Sequence, residues 1–194
     1  MTDLSYYQRN LPHWLPHDEC LFITFRLADS LPPTVLARLQ LDWKQALNDP
    51  DPKASYGRRK QYFGRFDQLL AAAGSGPLWL QRPDIAALVG QSLRHFDGRA
   101  YRLICYCLIP NHVHLLVYLP PGFPPLTATL QRLKGYTALQ ANKLLGRTGQ
   151  FWQRESYDHL IRSAQELQSV VAYIAENPVK AGLVADWQQW PYMY

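Results

Sequence analysis

Two histidines separated by one apolar residue, His112 and His114, are the side chains of this sequence best suited to chemistry. They lie in the run LIPNHVHLLV, whose Leu, Ile and Val content is typical of a buried strand. Because side chains alternate along a strand, both imidazoles point to one face, about 7 Å apart along the chain. Two imidazoles so placed can bind one divalent ion, and the alternative is a pair of core histidines satisfied by hydrogen bonds.

Two further polar residues, Tyr173 and Asn177, lie four positions apart in a segment with a helical pattern, so they share one helix face. Asn177 offers a carbonyl oxygen, a hard ligand suited to Mg²⁺ or Mn²⁺. Tyr173 offers a phenol, which has a pKa of about 10 when free and needs activation to act as a nucleophile. Each residue also has an ordinary alternative role, as an aromatic packed on a sheet and as a polar residue near a helix end.

The elements that would position these residues follow from apolar periodicity and turn signals. Strands are predicted at 20–27, 100–108 and 112–118, with a short one around 159–161, and helices at 34–46, 55–73, 84–96 and 126–145. A capping box of Ser163 and Glu166 opens a last helix, which is expected to end near residue 176, before Pro178. Residues 1–19 are expected to be irregular.

This order of elements predicts an α+β fold, a ferredoxin-like sandwich with a mostly antiparallel sheet and helices on one face. Residues 34–73 would be an inserted helical hairpin, and residues 178–194 a C-terminal tail. The length of 194 residues and the hydrophobic content of 47% fit a single domain over 1–194.

The composition limits the compartment and the partners. The net charge of +5 is compatible with an anionic partner but is modest. Three cysteines (Cys20, Cys105 and Cys107) lie in apolar strand-like runs, which favours core thiols in a reducing compartment. The first residues lack the apolar segment of a signal peptide, and no apolar run is long enough to span a bilayer. We therefore expect a cytoplasmic protein with no membrane partner.

Three runs, IPNHVHLLV, LKGYTALQANKLLGRTGQFWQRESYDHLIR and VVAYIAENPVKAGLV, resemble the REP-associated tyrosine transposases. These belong to the HUH superfamily of single-strand DNA nucleases with one catalytic tyrosine. The resemblance covers nearly the whole chain, and its most specific part is the combination of His-Val-His with Tyr-Ile-x-x-Asn-Pro. It implies that His112 and His114 are metal ligands and that Tyr173, on a C-terminal catalytic helix, is the nucleophile. Asn177 matches the third ligand, which is Gln in related insertion-sequence transposases.

The resemblance also implies an activity. The protein would be a single-stranded DNA endonuclease and transposase that depends on Mg²⁺ or Mn²⁺. It would cleave and rejoin DNA next to hairpins of the repetitive extragenic palindrome type, through a 5′-phosphotyrosine, as a monomer or homodimer. The candidate DNA contacts are cations for phosphates and one aromatic for stacking on a base: Lys134, Lys143, Arg147, Arg154, Arg162, Lys180 and Trp152.

Three alternatives stay open at the level of sequence. Tyr136 and, less strongly, Tyr157 are rival nucleophiles. A protein that binds DNA hairpins without catalysis would have a similar sequence. A zinc hydrolase would need a third ligand beside the two histidines, and His159 and Asp158 are the candidates, although an Asn is a poor zinc ligand.

Overall fold

The computed structural model describes residues 5–8, 12–15, 18–48, 50–72 and 76–194. They form two compact units, one of Met1–Ala28 with Leu78–Tyr194 and one of Asp29–Pro77. All the residues predicted to carry chemistry belong to the first unit. The assignment of the whole chain to one catalytic domain stays a prediction.

The first unit is built on a four-stranded antiparallel sheet. The four strands of this sheet are β3 (Glu19–Leu27), β4 (Arg102–Ile109), β5 (His112–Leu119) and β6 (Trp152–Leu160), and the unit also contains a two-stranded sheet of β1 (Ser5–Gln8) and β2 (Pro12–Leu15). Its helices are α3 (Pro83–His95), α4 (Leu126–Leu144) and α5 (Ala164–Lys180), preceded in the chain by α1 (Pro33–Leu47) and α2 (Pro52–Ala71) of the second unit. The large sheet has the order β4-β5-β3-β6, with every neighbouring pair antiparallel. This is the order expected of a ferredoxin-like fold, and the α+β prediction is confirmed.

One face of the sheet carries the main apolar core. Alternate residues of β3 and β5 point to it, and they are fully buried against apolar side chains of α3 and α4. The strand residues are Leu21, Ile23, Phe25, Val113, Leu115 and Val117, and the helix residues include Ile85, Val89, Leu93, Leu126 and Leu133. Each large apolar side chain contributes about 1.5–3 kcal/mol by its burial. Both crossover helices therefore lie on one face, as predicted.

The opposite face carries the residues of interest. Thr24 pairs with His114 across β3 and β5, and Arg26 pairs with His112, so these side chains share this face. The helix α5 lies here, since its Tyr173 contacts the rings of His114 and Phe22. The central strands β3 and β5 thus hold an apolar core on one side and polar chemistry on the other.

The predicted end of α5 before Pro178 is wrong, because the helix continues to Lys180 with Pro178 inside it. The end is instead formed by Gly182, which adopts a φ of 68°. The Gly182 N–H donates to the carbonyl of Val179, and the Leu183 N–H donates to that of Pro178, both at 2.9 Å. These two bonds form a Schellman motif, which satisfies the last carbonyls of the helix.

Two strand predictions near the edges also differ from the structure. The short strand expected around 159–161 is the nine-residue β6, whose sequence WQRESYDHL lacks an apolar run because β6 is an edge strand. The segment 1–19, expected to be irregular, contains β1 and β2, which pair with each other in antiparallel register. Apolar periodicity does not identify these three strands, since none of them is rich in apolar residues on a regular period.

The outer edge of β4 is also occupied. The Tyr106 N–H donates to the carbonyl of Tyr194 at 3.1 Å, and the Tyr194 N–H donates to the carbonyl of Tyr106 at 3.0 Å. The Leu108 N–H donates to the carbonyl of Tyr192 at 2.8 Å. The predicted C-terminal tail thus ends as a short extended segment paired with the sheet.

The second unit is a pair of antiparallel helices, α1 and α2, close to the predicted spans 34–46 and 55–73. The rings of Trp43 and Tyr62 lie 4.8 Å apart between them. The Arg65 guanidinium donates to the Asp42 carboxylate at 2.9 Å, again from α2 to α1. The inserted helical hairpin is therefore present as expected. Among the described residues of the chain, no helix is both long and apolar enough to cross a membrane.

Candidate active site

The two histidines face each other at the start of β5. The Nε2 atoms of His112 and His114 lie 3.1 Å apart, and their ring centroids are 4.7 Å apart at an interplanar angle of 77°. Both side chains are fully buried. An octahedral ion with bonds of about 2.1 Å has neighbouring ligand atoms about 3.0 Å apart. The spacing of the two nitrogens therefore fits two adjacent ligands of one divalent ion.

The other nitrogen of each ring is held by a neighbouring oxygen. His112 Nδ1 lies 2.6 Å from Asn111 Oδ1, and His114 Nδ1 lies 2.8 Å from Thr24 Oγ1. A carbonyl oxygen only accepts, so His112 donates Nδ1–H to Asn111 and presents a lone pair at Nε2. Partners of this kind fix the ring orientation of ligand histidines in metal sites. The hydroxyl of Thr24 can also donate to His114, which then donates Nε2–H to His112, so the hydrogen-bonded alternative is equally satisfied.

Tyr173 lies directly against this pair. Its ring is 5.6 Å from the His114 ring and 6.0 Å from the Phe22 ring, edge-on to both. The phenol is half-buried, and the Lys180 ammonium lies 5.1 Å from its ring centroid. The structure thus brings together a tyrosine and a histidine that are far apart in sequence.

Asn177 is buried on the same helix. It lies one turn after Tyr173, so both side chains project from the same face of α5. The role of Asn177 as a ligand stays a prediction.

The rival tyrosines lie elsewhere. Tyr136 is 56% exposed on α4, the helix that covers the opposite face of the sheet from the histidines. Tyr157 is buried on β6 and pairs with Thr24, so it shares the face of the histidines but not the helix of Asn177. The geometry therefore favours Tyr173 over Tyr136.

The extra ligands of the zinc alternative are not arranged for that role. Asp158 pairs with Ile23, whose side chain faces the apolar core, so Asp158 points away from the histidines. His159 shares the face of His114, but its Nε2 lies 3.0 Å from the Glu166 carboxylate.

The predicted DNA contacts fall into two groups. Trp152 is a core residue, since it is 5% exposed and donates its indole N–H to Thr137 Oγ1 at 2.8 Å. Lys134 and Arg147 already bind chain oxygens, with Lys134 Nζ 2.7 Å from Ser156 Oγ and Arg147 Nη1 2.8 Å from Asn142 Oδ1. The exposed cations of the set are Lys143, Arg154, Arg162 and Lys180. Lys134, Trp152 and Arg154 line one cleft of about 870 Å³ between α4 and β6.

Sequence reasoning missed the residues that support the site. Thr24 and Asn111 hold the imidazoles, and Phe22 packs between His114 and Tyr173. Asn111 precedes His112 directly and was visible as part of a turn signal. Thr24 and Phe22 carry no signal in the sequence, because only the register of β3 against β5 brings them to the histidines.

Comparisons with known proteins show what this chain is similar to. Residues 89–177 match the family model described as "Transposase IS200 like". A protein of Haemophilus influenzae assigned by name to the REP-associated tyrosine transposases is 31% identical over 111 residues, which are 53% of this chain and 61% of that protein. A REP-associated tyrosine transposase of Escherichia coli is 28% identical over 107 residues, which are 53% of this chain and 62% of that protein. The chain thus spans about three fifths of the length of these curated relatives.

A solved structure of a REP-associated tyrosine transposase bound to a REP hairpin has a TM-score of 0.53 and 18% sequence identity to this chain. The alignment covers 98% of this chain and 82% of that one. At this level of identity the likeness shows the fold.

Proposed function

We propose that this chain, which is similar to REP-associated tyrosine transposases of Haemophilus influenzae and Escherichia coli, is a metal-dependent single-stranded DNA endonuclease and transposase. It cleaves and rejoins DNA next to repeat hairpins through a 5′-phosphotyrosine. The observation that carries this proposal is the contact of Tyr173 with His114, whose Nε2 faces that of His112 at 3.1 Å. The proposed reaction needs a nucleophilic hydroxyl close to the ligands of a metal ion, and the phenol of Tyr173 and the two imidazoles match this requirement.

The metal part of the proposal assigns the ion to His112, His114 and Asn177. Two observations support His112 and His114 as ligands. Their Nε2 atoms lie 3.1 Å apart, and the Nδ1 atom of each ring lies within hydrogen-bonding distance of a side-chain oxygen. Mg²⁺ and Mn²⁺ are the candidate ions, since an amide oxygen is a hard ligand and imidazole suits Mn²⁺. When bound, such an ion withdraws charge from the scissile phosphate and orients it for in-line attack.

The covalent step belongs to Tyr173. Its phenol oxygen attacks the phosphorus, a bond from that oxygen to phosphorus forms, and the bond from phosphorus to the 3′-oxygen breaks. The phenol proton leaves to solvent, and the departing 3′-oxygen takes up a proton to become a 3′-hydroxyl. The number of phosphodiester bonds is unchanged, so a 3′-hydroxyl can reverse the step and rejoin strands without ATP.

The proposed substrate is a single strand next to a hairpin. The relative bound to a REP hairpin supports this, and so does the exposure of cations that can contact phosphates. Arg154 is one of these cations, and it lies where the register of β6 against β3 shifts between Phe25 and Leu27.

The test is to trap the covalent intermediate. The full chain is incubated with labelled hairpin oligonucleotides that carry a single-stranded flank, in Mn²⁺, and the products are resolved on a denaturing gel. We expect a protein–DNA adduct that EDTA prevents, that the fully paired duplex does not give, and that peptide mapping assigns to Tyr173. Hairpin binding by an active preparation without any adduct would favour a binding protein, and an adduct on Tyr136 or Tyr157 would overturn the nucleophile.

A further inference from the structure

The two halves of α5 are attached to the sheet in different ways. Every fully buried side chain of the helix, Ile174, Asn177 and Pro178, lies in its second half. Over residues 164–173 every residue is exposed or of intermediate burial, and none is fully buried. The position of this first half therefore depends strongly on any directional contact that it makes with the strands.

Glu166 makes such a contact. Its Oε1 lies 3.0 Å from His159 Nε2 on β6, and its Oε2 accepts the Arg162 N–H at 2.9 Å. Its own N–H donates to Ser163 Oγ at 3.1 Å, which is the helix cap. The side chains of Glu166 and His159 are only 11% and 17% exposed. Both carboxylate oxygens are thus used, one within the turn that starts the helix and one on the neighbouring strand.

The same contact leads to the reactive tyrosine. His159 is the cross-strand neighbour of Phe22, and the Phe22 ring lies 6.0 Å from Tyr173 and 5.5 Å from His114. Glu166 and Tyr173 are seven residues apart, which is two turns, so they project from one face of α5. A rotation or lift of the helix at Glu166 therefore moves Tyr173 relative to His114.

We propose that His159 and Glu166 form a positioning pair that fixes the first half of α5 on β6 and so holds the Tyr173 oxygen in line with the scissile phosphate. The catalytic part of this proposal rests on the function proposed above. Both are positioning residues, since neither lies among the reacting groups. A misplacement of about 1 Å at a reacting atom can lower a rate by about 100-fold. Loss of the pair should therefore lower mainly the rate of adduct formation.

The experiment compares variants of the full chain. His159→Leu removes the ring nitrogen, His159→Gln restores an N–H donor for Glu166, and Ser169→Ala is the control. Ser169 is exposed on the same helix and donates only within it, to the carbonyl of Gln165 at 2.9 Å. Three quantities are measured: the single-turnover rate of adduct formation, the Kd for the hairpin, and amide hydrogen exchange over 164–173 and 174–180.

We expect His159→Leu to slow adduct formation by about 10-fold to 100-fold while the hairpin Kd stays within about 2-fold. Exchange should become faster over 164–173 but not over 174–180. His159→Gln should recover most of the rate, Ser169→Ala should match the wild type, and Glu166→Ala combined with His159→Leu should be no slower than Glu166→Ala alone.

A His159→Leu variant with the wild-type rate and wild-type exchange would overturn the positioning role. Faster exchange in both halves together with weaker hairpin binding would assign the pair a general structural role and would overturn it too. If the wild type itself forms no adduct, the proposed function fails, and the exchange over 164–173 alone decides whether the pair fixes the helix.

Discussion

Thr24 lies with its hydroxyl oxygen 2.8 Å from Nδ1 of His114, and both side chains are buried. The two residues are direct cross-strand partners of β3 and β5. The contact sets the orientation of the imidazole, because a ring held at Nδ1 turns its Nε2 towards His112. If the two histidines bind one ion as proposed, Thr24 therefore contributes to the site by orienting the His114 ring.

Replacing Thr24 should therefore change metal affinity. Thr24→Val keeps the shape of the side chain but leaves Nδ1 of His114 without its oxygen, and outer-sphere losses of this kind typically cost about 10-fold to 100-fold in affinity. We expect weaker Mn²⁺ binding by calorimetry, whereas Thr24→Ser, which retains the hydroxyl, should bind nearly as the wild type. Equal Mn²⁺ affinity of the two variants would separate Thr24 from any metal site.

The histidines themselves give a second prediction. His112→Ala should abolish Mn²⁺-dependent adduct formation and also the increase in Tm on adding Mn²⁺, because one of two facing ligands is gone. Its far-ultraviolet circular dichroism should stay that of a folded protein, since ligand residues on a formed strand are not needed to fold a domain of this size. His95→Ala is the matched control, as His95 is exposed on α3. Normal cleavage by His112→Ala would mean that the metal site is misassigned.

The third prediction separates the tyrosines. Tyr173→Phe removes one oxygen and keeps the ring against Phe22 and His114, so stability and hairpin affinity should be unchanged while the adduct disappears. Tyr136→Phe should still form the adduct, because Tyr136 is exposed on the helix of the opposite face. The measurement is the yield of covalent product at equal protein concentration. Loss of adduct in Tyr136→Phe with its retention in Tyr173→Phe would reverse the assignment.

Two helical glycines should respond to alanine with opposite signs. A Cβ at Gly90 of α3 would lie 2.9 Å from the Tyr106 hydroxyl, which is bound to Arg94. We expect Gly90→Ala to lower the free energy of unfolding by about 1–3 kcal/mol through overpacking. A Cβ at Gly135 of α4 would meet nothing within 4 Å, so Gly135→Ala should raise it by about 0.8–1.0 kcal/mol. Urea unfolding of both variants tests this, and a stabilised Gly90→Ala would contradict the packing around Tyr106.

The thiols give a prediction about pH. Burial raises the pKa of Cys105 to about 11 and raises the pKa of Cys107 as well. The folded state therefore holds these protons more tightly than the unfolded state, where the ordinary pKa is 9.0. Their contribution to stability is complete below pH 9 and for Cys105 is lost as the pH rises towards 11. We expect both thiols to resist iodoacetamide at pH 8 until the protein is unfolded, and rapid alkylation of Cys107 in the native state would contradict its burial.

The strand and the helix that carry the candidate site could be predicted because the residues that identify each of them lie close together in the sequence. The apolar run around His112 and His114 identified β5 and the shared face of the two imidazoles. The helical spacing of Tyr173 and Asn177 identified a second shared face. The capping residue Ser163 was also identified, since Ser163 and Glu166 form a recognisable local pattern, and its hydroxyl accepts the Glu166 N–H as predicted.

The rest depends on which strands become neighbours. The contact of Thr24 with His114 follows from the register of β3 against β5, and the contact of His159 with Glu166 follows from the path of α5. Neither the register nor the path can be predicted from a short stretch of sequence. Trp152 was predicted to stack on DNA, but it lies opposite Leu27 next to a register shift and fills the core. The predicted end of α5 before Pro178 is wrong because a proline close to a helix end can be accommodated at the loss of one ladder N–H, whereas Gly182 at positive φ ends the helix.

The segment that pairs with β4 has a consequence for how molecules of this protein meet one another. A free strand edge offers a row of N–H and C=O groups on which a strand of another chain can form a ladder and seed an aggregate. Tyr192 and Tyr194 already bind those groups of Tyr106 and Leu108, so this part of the β4 edge is occupied. The opposite edge is β6, whose polar residues and irregular register make a poor template. The pairing of Tyr192 and Tyr194 with β4 should therefore protect this part of the sheet against edge-to-edge association of folded molecules.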